Sequence, residues 1–489
     1  MTPFQRDPDD DRPRLECGVF GIWGVRDASA VAALGLHALQ HRGQEACGIA
    51  SFDGHRFHTE RHMGLVGENF AGPDLIQRLP GWAAVGHTRY ATAGASVVRN
   101  VQPMFADLEY GGVALAHNGN LTNFLTLRAQ LVAEGSIFQS TSDSEVILHL
   151  LARSRKARVV DRFIEALAQI EGGFALVVMT NKELIGARDP LGIRPLVLGD
   201  LDGRAVLASE TAALDMIGAD FVRDVENGEV VVINDEGVQS LRPFPATRPR
   251  PCLFEYVYFS RPDSIVNGRS VYEVRKAMGR RLALETPAAA DVVVPVPDSG
   301  VPAALGYAQE SGVPFELGII RSHFIGRTFI QPTQGVRELG VRMKHAPNRV
   351  VLEGKRVVLI DDSIVRGTTS LKIVRMVREA GAREVHLRSA SPPIKHPDFY
   401  GIDMPDRDRL LAATKTHEEM RELLEVDSLG FLSVDGLYEA MGVGRRDPAA
   451  PQVTDHYFTG DYPTRLTDRE IAEGRNDAVE RQLSLLVEA

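Results

Sequence analysis

The chain has 489 residues and a formal net charge of −10, and 44% of its residues are hydrophobic. This length predicts two or three domains with full-sized cores. The acidic charge argues against general binding of nucleic acid or of an anionic membrane, because phosphate polyanions would be repelled. Three cysteines are too few for a disulfide framework, and no apolar run is as long as a membrane-spanning helix, so we expect a globular protein of the cytoplasm.

The N-terminal segment, residues 1–16, differs in composition from the rest of the chain. It contains five acids, three arginines and three prolines and has no apolar stretch that would suit a secretory signal. Such a composition cannot form a packed core, so the sequence predicts a disordered leader. The ordered chain is expected to begin at Cys17.

Residues 17–250 have the pattern of a layered α+β domain. Short apolar runs with strand character are separated by Gly, Asn and Asp turns. Amphipathic helices are predicted near residues 29–40 and 143–154, and Ser142 or Asp143 is a candidate N-cap for the second helix.

A proline-rich stretch, residues 242–251, marks the predicted linker between two domains, since it contains four prolines and three arginines. After it, apolar strands alternate with helices, which is typical of a doubly wound parallel sheet. From about residue 405 the chain becomes helical and charged, and a polar tail is predicted after residue 462.

The sequence VVLIDDSIVRGTTS combines a buried strand, 357–360, with a possible phosphate site. Asp361 and Asp362 follow the strand directly, at the sheet edge where chemistry gathers in open α/β folds. The free amides of residues 367–369 would then lie at the positive end of the next helix, where they could bind a phosphate. Taken alone, Gly-Thr-Thr could equally be a helix cap beside two exposed acids.

Two further segments of the second half are candidates for the same site. The loop PVPDSG, residues 295–300, also lies between an apolar strand and a helix, although Asp-Ser-Gly is common turn chemistry. Residues 321–349 contain six Lys or Arg and one Glu. A solvated basic loop would explain this segment, but in an acidic chain we favour a lid that closes over a polyphosphate, with Arg327 and Lys344 as ligands.

Cys17 is either a buried strand cysteine or a nucleophile. Cysteine is among the most buried residue types, which favours the first interpretation on position alone. A nucleophilic thiol needs a base, and no histidine adjoins Cys17. If the leader were removed after Glu16, the new α-amine, with a usual pKa of about 7.7 to 8.0, would lie beside the thiol as that base.

The motifs ECGVFGI, LQHRGQEACGIA, GHTRYATAG, LAHNGNLTN and STSDSEV occur in this order and resemble those of N-terminal-nucleophile glutaminase domains. The resemblance implies a four-layer αββα sandwich in which Cys17 attacks the side-chain amide of glutamine. Arg89 would bind the α-carboxylate as a bidentate pair, and Asp143 the α-ammonium group. Asn118 and Gly119 would donate hydrogen bonds to the oxyanion.

Three neighbouring residues receive no catalytic role in this interpretation. His87 and His117 are interpreted as satisfied core histidines, and Cys47 as a packing residue.

The string VVLIDDSIVRGTTS is similar to the phosphoribosyl pyrophosphate (PRPP) signature of type I phosphoribosyltransferases, which implies an α/β domain with a parallel sheet. The residues implied to bind PRPP are Asp361, Asp362, Ser363, Arg366, Gly367, Thr368, Thr369 and Ser370, together with Arg327 and Lys344. One Mg²⁺ per subunit is implied at Ser299, Asp361 and Asp362, whereas Asp298 is a weaker candidate.

The order of the two domains resembles the glutamine phosphoribosylpyrophosphate amidotransferase family from Cys17 to about residue 462, and FEYVYFSRPDS and SPPIKHPDFYGID add to the likeness. The implied reaction forms a γ-glutamyl thioester on Cys17 and passes ammonia internally to C1 of PRPP, where it displaces pyrophosphate. The products would be 5-phosphoribosylamine, glutamate and pyrophosphate, in the first step of de novo purine synthesis.

The resemblance also implies a cytoplasmic homotetramer that purine nucleotides inhibit and that binds neither nucleic acid nor membranes. The expected division of the chain is a removable leader at 1–16, a glutaminase domain at 17–250, a phosphoribosyltransferase domain at 251–462 and a polar tail at 463–489.

A branch of this family carries a four-iron, four-sulfur cluster on four cysteines, and this chain departs from that pattern. Cys252 occupies one of the cluster positions, and Asp398, Thr454 and Tyr457 align with the others. Because one thiolate cannot replace four, the sequence predicts no cluster, and Cys252 is interpreted as a packing residue. Members of the cluster-bearing branch also tend to have a cleaved leader. Because this chain departs from that branch, its predicted leader removal depends only on the need for a free amine.

Three other functions are weaker explanations of the sequence. A glucosamine-phosphate synthase has no reason to carry DDSIVRGTTS. A PRPP-sensing regulator would need a DNA-binding head in place of the glutaminase motifs. A salvage phosphoribosyltransferase would explain residues 357–370 but would leave residues 17–240 without a role.

Overall fold

The computed structural model describes residues 17–90, 97–321, 345–404 and 406–474. The strands before residue 250 are β1 (Gly18–Trp23), β2 (Ala46–Phe52), β3 (Phe57–Met63), β4 (Ala83–Arg89), β5 (Met104–Leu108), β6 (Gly111–Leu121), β7 (Gly172–Thr180), β8 (Leu184–Arg188), β9 (Val197–Leu201), β10 (Arg204–Ala208), β11 (Asp220–Asp224), β12 (Val230–Asn234) and β13 (Gly237–Leu241). The α-helices in the same part are α1 (Ala28–Ala38), α2 (Val66–Asn69), α3 (Leu75–Arg78), α4 (Phe124–Ala133), α5 (Ser144–Arg153), α6 (Val159–Leu167) and α7 (Thr211–Ile217), and a short 3₁₀ turn covers Val98–Asn100.

These strands form two antiparallel sheets. The seven-stranded sheet has the order β11-β9-β10-β1-β4-β2-β3, and the six-stranded sheet has the order β13-β12-β8-β7-β6-β5. Both sheets are antiparallel throughout, so neighbouring strands can be joined by short turns.

Strand β1 shows why its sequence is almost wholly apolar. Val19 and Trp23 point into the core between the two sheets, whereas Phe20 and Ile22 point into the core beneath α1 and α7. Successive side chains of a strand point to opposite faces, and here both faces are covered. Helices α5 and α6 cover the six-stranded sheet through a separate core. The order of layers is therefore helix, sheet, sheet, helix, which confirms the predicted αββα sandwich.

The strands after residue 250 are β14 (Ile265–Val266), β15 (Arg269–Ser270), β16 (Val292–Pro295), β17 (Ile319–Arg321), β18 (His345–Pro347), β19 (Arg356–Asp361), β20 (Glu384–Ser389) and β21 (Ser428–Phe431). The α-helices there are α8 (Val271–Glu285), α9 (Val301–Ser311), α10 (Arg349–Leu352), α11 (Thr368–Glu379), α12 (Leu411–Thr414), α13 (His417–Leu423), α14 (Val434–Ala440), α15 (His456–Thr459) and α16 (Thr467–Gly474). A π-helical turn covers Glu255–Phe259, and a 3₁₀ turn covers Arg407–Arg409.

The centre of this second half is a parallel sheet with the order β16-β19-β20-β21. Side chains of β19 alternate between two cores: Val358 packs with residues of α8 and α9, and Leu359 packs with residues of α11. Helices therefore cover both faces of the sheet, which confirms the predicted doubly wound α/β architecture.

The predicted linker, residues 242–251, contains neither helix nor strand, yet it is not a free tether. The amide of Arg250 donates to the carbonyl of Leu191 at 2.8 Å, and the amide of Cys252, just after the linker, donates to the carbonyl of Ile193 at 3.2 Å. These bonds fix the linker against the first domain.

The start of the predicted polar tail also packs on the first domain. Helix α16 lies in this segment, and the Asp468 carboxylate accepts hydrogen bonds from the amides of Leu125 and Thr126 at 2.8 and 2.9 Å. Those amides are at the N-terminus of α4, where a carboxylate is favourable. Across the described ranges, no helix has both the length and the apolar character needed to cross a membrane.

Candidate active sites

Cys17 lies immediately before β1 and next to the end of β4. Gly18 pairs with Thr88, which brings the thiol close to Arg89, and the thiol donates to the carbonyl of Tyr90 at 3.5 Å. Only 6% of Cys17 is exposed. Burial raises the pKa of the thiol above its usual value, although the nearby Arg89 guanidinium lowers it. The thiol is therefore protonated near neutral pH unless a base accepts its proton.

Asn118 and Gly119 lie near the end of β6 and have the properties of oxyanion donors. Asn118 is fully buried, and neither polar atom of its side chain has a hydrogen-bond partner within the described residues. Gly119 has φ +138°, and a Cβ atom there would lie 2.0 Å from the carbonyl oxygen of Gly173. Only glycine fits this position. The buried amide of Asn118 has the unsatisfied donor that a ligand would complete.

His87 and His117 connect the strands that carry these groups. Nε2 of His87 lies 3.0 Å from the carbonyl oxygen of His117, which joins β4 to β6 across the two sheets. Burial and the Arg89 charge lower the pKa of His87 to about 3, and burial also lowers the pKa of His117. Both rings are therefore neutral near pH 7. They are core histidines, but Nδ1 of His87 and Nε2 of His117 have no hydrogen-bond partner among the described residues, so the rings are only partly satisfied.

Arg89 and Asp143 place opposite buried charges around Cys17. Arg89 is 3% exposed and Asp143 is 4% exposed, and the Asp143 charge acts on the pKa of the thiol in the direction opposite to that of Arg89. Asp143 is also the residue before α5, but its side chain does not cap the helix. Its Oδ2 atom instead accepts a hydrogen bond from the amide of Leu121 at 3.0 Å, which fixes the carboxylate beside the end of β6.

The predicted phosphate loop forms at the carboxyl end of β19. Asp361 and Asp362 are both buried, and the Ser363 hydroxyl donates to Oδ1 of Asp362 at 2.7 Å. Gly367 has φ +81°, and α11 begins at Thr368. The amides of this turn are therefore at a helix N-terminus, the arrangement that favours a phosphate group. The remaining predicted PRPP residues in this turn are Arg366, Thr369 and Ser370.

The PVPDSG loop lies beside this phosphate loop. The amide of Val296 donates to the carbonyl of Ile360 at 2.9 Å, and a Cβ atom at Gly300 would be 2.5 Å from the same oxygen. Ser299 is partly exposed next to this contact. Asp298 is exposed and pairs with Arg321 at 2.5 Å. The structure thus brings both sequence-predicted loops to one sheet edge. Arg327 and Lys344 lie outside the described residues.

The carboxyl groups at this edge fit Mg²⁺ in one respect. The described residues contain no group of three or more His, Cys, Asp or Glu side chains that could hold a metal ion by themselves. Magnesium in phosphate-transfer sites is held by one or two carboxylates, with substrate phosphates and water as its other ligands. Asp361 and Asp362, two buried carboxylates next to a phosphate loop, match that smaller donor set.

The four positions aligned with cluster cysteines do meet, but their donors do not suit iron and sulfide. The backbones of Cys252 and Thr454 form an isolated parallel β-bridge. Sγ of Cys252 lies 3.1 Å from Oη of Tyr457. Asp398 instead faces His456 at 3.0 Å. Burial raises the pKa of the Cys252 thiol to about 11. One protonated thiol does not supply the usual four thiolates, so the absence of a cluster stays a prediction.

Arg42 holds the backbone of Cys17, a role that the sequence pattern did not indicate. Its Nε donates to the carbonyl oxygen of Cys17 at 3.2 Å, and its guanidinium also binds the carboxylates of Glu210 and Glu255. Arg42 is fully buried, and a buried charge must be paired and hydrogen-bonded to be tolerated; these three partners meet that requirement. The motif LQHRGQE contains this arginine, but the distant Glu255 could not be assigned from local pattern.

Comparison with known protein families agrees with this geometry. Residues 87–216 match the model of the glutamine amidotransferase domain, and residues 264–390 match the model of the phosphoribosyl transferase domain. The first range contains Asn118 and Asp143, and the second contains the phosphate loop.

Relatives match over almost the whole chain. An amidophosphoribosyltransferase of Rhizobium etli is 64% identical over 467 residues, which cover 94% of each chain. One of Bacillus subtilis is 48% identical over 95% of this chain and 97% of its own. A solved B. subtilis glutamine PRPP amidotransferase, in complex with ADP and GMP, is 48% identical with a TM-score of 0.87 and covers 92% of this chain and 98% of its own. The chain therefore belongs to the amidophosphoribosyltransferase family, in which a glutamine amidotransferase domain is combined with a phosphoribosyltransferase domain.

Proposed function

We propose that Cys17 releases ammonia from glutamine and that this ammonia displaces pyrophosphate from C1 of PRPP. The products are 5-phosphoribosylamine, glutamate and pyrophosphate, in the first step of de novo purine synthesis. The observation that carries the glutaminase half is the pairing of Asn118, a buried amide unpartnered among the described residues, with the glycine-only position Gly119. Such a pair would stabilise the oxyanion that develops on the carbonyl group that the thiol attacks.

Glutamine is held by its two charged α-groups. Arg89 binds the α-carboxylate, since a guanidinium can donate two parallel hydrogen bonds to it. Asp143 binds the α-ammonium group. Both side chains are buried, and a charged ligand group interacts more strongly with a charge at a buried site than at an exposed one.

The thiol of Cys17 is activated by its own α-amine after removal of residues 1–16. The raised pKa of the buried thiol supports this step, because the thiol must lose its proton to a base before it attacks. The attack forms a γ-glutamyl thioester and expels ammonia. Water then hydrolyses the thioester and releases glutamate.

PRPP binds at the edge of the parallel sheet. The amides of residues 367–369 and the hydroxyls of Thr368 and Thr369 bind a phosphate group of PRPP, and Asp361 and Asp362 bind the ribose hydroxyls. Ser363, Arg366, Ser370, Arg327 and Lys344 are proposed as further PRPP ligands. Ser299, Asp361 and Asp362 would hold Mg²⁺, which supplies positive charge to the pyrophosphate leaving group.

Ammonia passes between the two sites inside the molecule. Free ammonia would be protonated in water and would lose its nucleophilic lone pair, so enclosure preserves it. The proposed glutaminase domain is 17–250, the phosphoribosyltransferase domain 251–462 and the tail 463–489.

The cellular setting follows from the same family. The solved B. subtilis relative is in complex with ADP and GMP, which supports purine nucleotides as feedback inhibitors of this chain. We propose a homotetramer in the cytoplasm.

The test is an assay with glutamine, PRPP and Mg²⁺ in which glutamate and pyrophosphate are both measured. The wild-type protein should release them in equal amounts. Cys17→Ala should lose glutamine-dependent release but keep pyrophosphate release with ammonium as the nitrogen donor. Loss of both activities in a folded Cys17→Ala protein would show that Cys17 is structural, and glutamine use that persists in it would contradict its role as nucleophile.

A further inference from the structure

A loop of the second domain, residues 398–402, lies directly on the backbone of Gly119. Gly401 has φ +122°, and a Cβ atom there would be 3.0 Å from the carbonyl carbon of Gly119 and 3.1 Å from its Cα. In addition, Nδ2 of Asn120 donates to the carbonyl of Phe399 at 2.9 Å. The 398–402 loop is therefore in van der Waals contact with the strand that carries the proposed oxyanion donors.

A buried carboxylate shapes the 398–402 loop from inside. Oδ2 of Asp398 accepts hydrogen bonds from the amides of Tyr400 and Ile402 at 2.9 and 2.7 Å. Its other oxygen lies 3.0 Å from Nε2 of His456. Asp398 is buried, and the two amide bonds to Oδ2 compensate for its lost hydration and fix the turn that contains Gly401.

An arginine of the first domain, Arg194, binds the backbone of the same loop. Nε of Arg194 donates to the carbonyl of Tyr400 at 2.9 Å, and its terminal nitrogen lies 3.9 Å from Asp398. Arg194 is fully buried. A buried guanidinium and a buried carboxylate thus fix the two sides of the peptides around Tyr400, one from each domain.

Arg194 is itself tied to the strand that pairs with Gly119. The amides of Arg194 and Phe174 both donate to Oδ2 of Asp189, at 3.1 and 3.3 Å. Phe174 is the residue directly opposite Gly119 in the pairing of β6 with β7. The backbone of Gly119 is consequently enclosed between β7 on one side and the 398–402 loop on the other.

We propose that Arg194 and Asp398 are positioning residues that hold the 398–402 loop in contact with Gly119. The second domain would thereby complete the oxyanion site of the first domain. This inference rests on the proposed function of Gly119. Oxyanion donors act only at hydrogen-bond distance from the charge that develops, and a displacement of about 1 Å can cost about 10²-fold in rate. A loop held by two buried charges resists such displacement.

The test compares variants of the loop by steady-state kinetics. Asp398→Asn and Asn120→Ala should lower kcat with glutamine, about tenfold or more for Asp398→Asn and less for Asn120→Ala. KM for glutamine should stay nearly constant, because Arg89 and Asp143 are not displaced. Pyrophosphate release with ammonium should also stay unchanged, since it bypasses the oxyanion site.

The matched control is Thr122→Ala. Thr122 lies just beyond β6 and donates to the carbonyl of Arg465 at 2.9 Å, so its loss removes an interdomain bond of the same kind that does not involve the 398–402 loop. This variant should leave kcat with glutamine unchanged.

Three outcomes would overturn the inference. They are an unchanged kcat in both loop variants, an equal loss of glutamine-dependent and ammonium-dependent activity, and an effect of Thr122→Ala as large as that of Asn120→Ala. If Asp398→Asn does not fold, Asn120→Ala decides, because it removes a single bond at the domain boundary. A Cys17→Ala protein that loses only glutamine use, together with unaffected loop variants, would reject this inference and leave the proposed function intact.

Discussion

At the scale of single residues, Asn118 has a buried amide whose cost in stability the proposed oxyanion role would explain. A buried amide without hydrogen-bond partners costs about 1 to 3 kcal/mol relative to a satisfied one. Asn118 has this environment within the described part of the chain, whereas nearby Asn123 donates to the carbonyl of Gln169 at 2.9 Å. The two asparagines therefore differ in what their removal should do.

We expect Asn118→Ala to lower kcat with glutamine by about 10²- to 10³-fold, because it removes an oxyanion donor. Its thermal stability should be unchanged or higher, since an unsatisfied buried amide is lost. Asn123→Ala, the control, should lose about 1 kcal/mol of stability and keep its kcat. Kinetics and thermal unfolding of both proteins give the comparison, and a wild-type kcat in Asn118→Ala would remove this residue from the site.

The buried cysteines show where sequence could and could not separate structure from chemistry. Burial raises the pKa of the thiols of both Cys17 and Cys47, in the latter to about 12, and both are core residues. Their residue type and burial are alike, so composition could not distinguish them. What differs is the neighbourhood: Cys47 faces Asn69 at 3.9 Å, whereas the charges of Arg89 and Asp143 both act on the pKa of Cys17. The motifs around Cys17 contained this information.

At the scale of secondary-structure elements, the closest helix contact in the second domain depends on glycine. A Cβ atom at Gly279 of α8 would be 1.8 Å from the carbonyl oxygen of Ala303, and one at Gly306 of α9 would be 1.9 Å from that of Lys276. Neither distance is sterically possible. The two helices therefore approach through their backbones, and any side chain at either glycine must separate them.

Gly279→Ala should consequently destabilise the protein, by about 2 kcal/mol or more. In an unpacked helix the same change would stabilise by up to about 1 kcal/mol, because alanine is the better helix former. A loss of stability in Gly279→Ala would therefore indicate that α8 and α9 pack closely at this glycine. Leu284→Ala on the exposed side of α8, where the leucine is 57% exposed, serves as the control and should change stability by less than about 0.5 kcal/mol. Chemical unfolding that shows Gly279→Ala to be stabilising would contradict this helix contact.

Strands and loops of the sites were predictable from local pattern because their signals are local. The apolar run 357–360 predicted a buried strand, which β19 confirms, and α11 begins at Thr368 directly after the predicted phosphate loop. Phosphate binding by this loop stays a prediction. Asp143 was predicted as a candidate cap, yet its carboxylate binds the amide of Leu121 instead. That contact joins two elements in space, so no short-range rule could have indicated it.

At the scale of the whole molecule, the first domain meets the second domain and the start of the tail through polar contacts. Arg42 binds Glu255, Arg194 binds the carbonyl of Tyr400, and Asp468 binds the start of α4. Each contact joins residues more than two hundred positions apart, which is why the sequence predicted two domains but not how they are joined. The linker after residue 241 indicated separate units, whereas these contacts fix the first domain against the rest of the chain.

The central claim is that nitrogen released at Cys17 is used at the PRPP site of the same molecule. The most direct measurement supplies glutamine labelled with heavy nitrogen in its side-chain amide, with PRPP, Mg²⁺ and an excess of unlabelled ammonium, and determines the isotope in the trapped amine product by mass spectrometry. Internal transfer predicts a product that carries the heavy label despite the excess. A product with the isotope ratio of the surrounding ammonium would show that ammonia leaves the protein before it reacts, and would contradict the account.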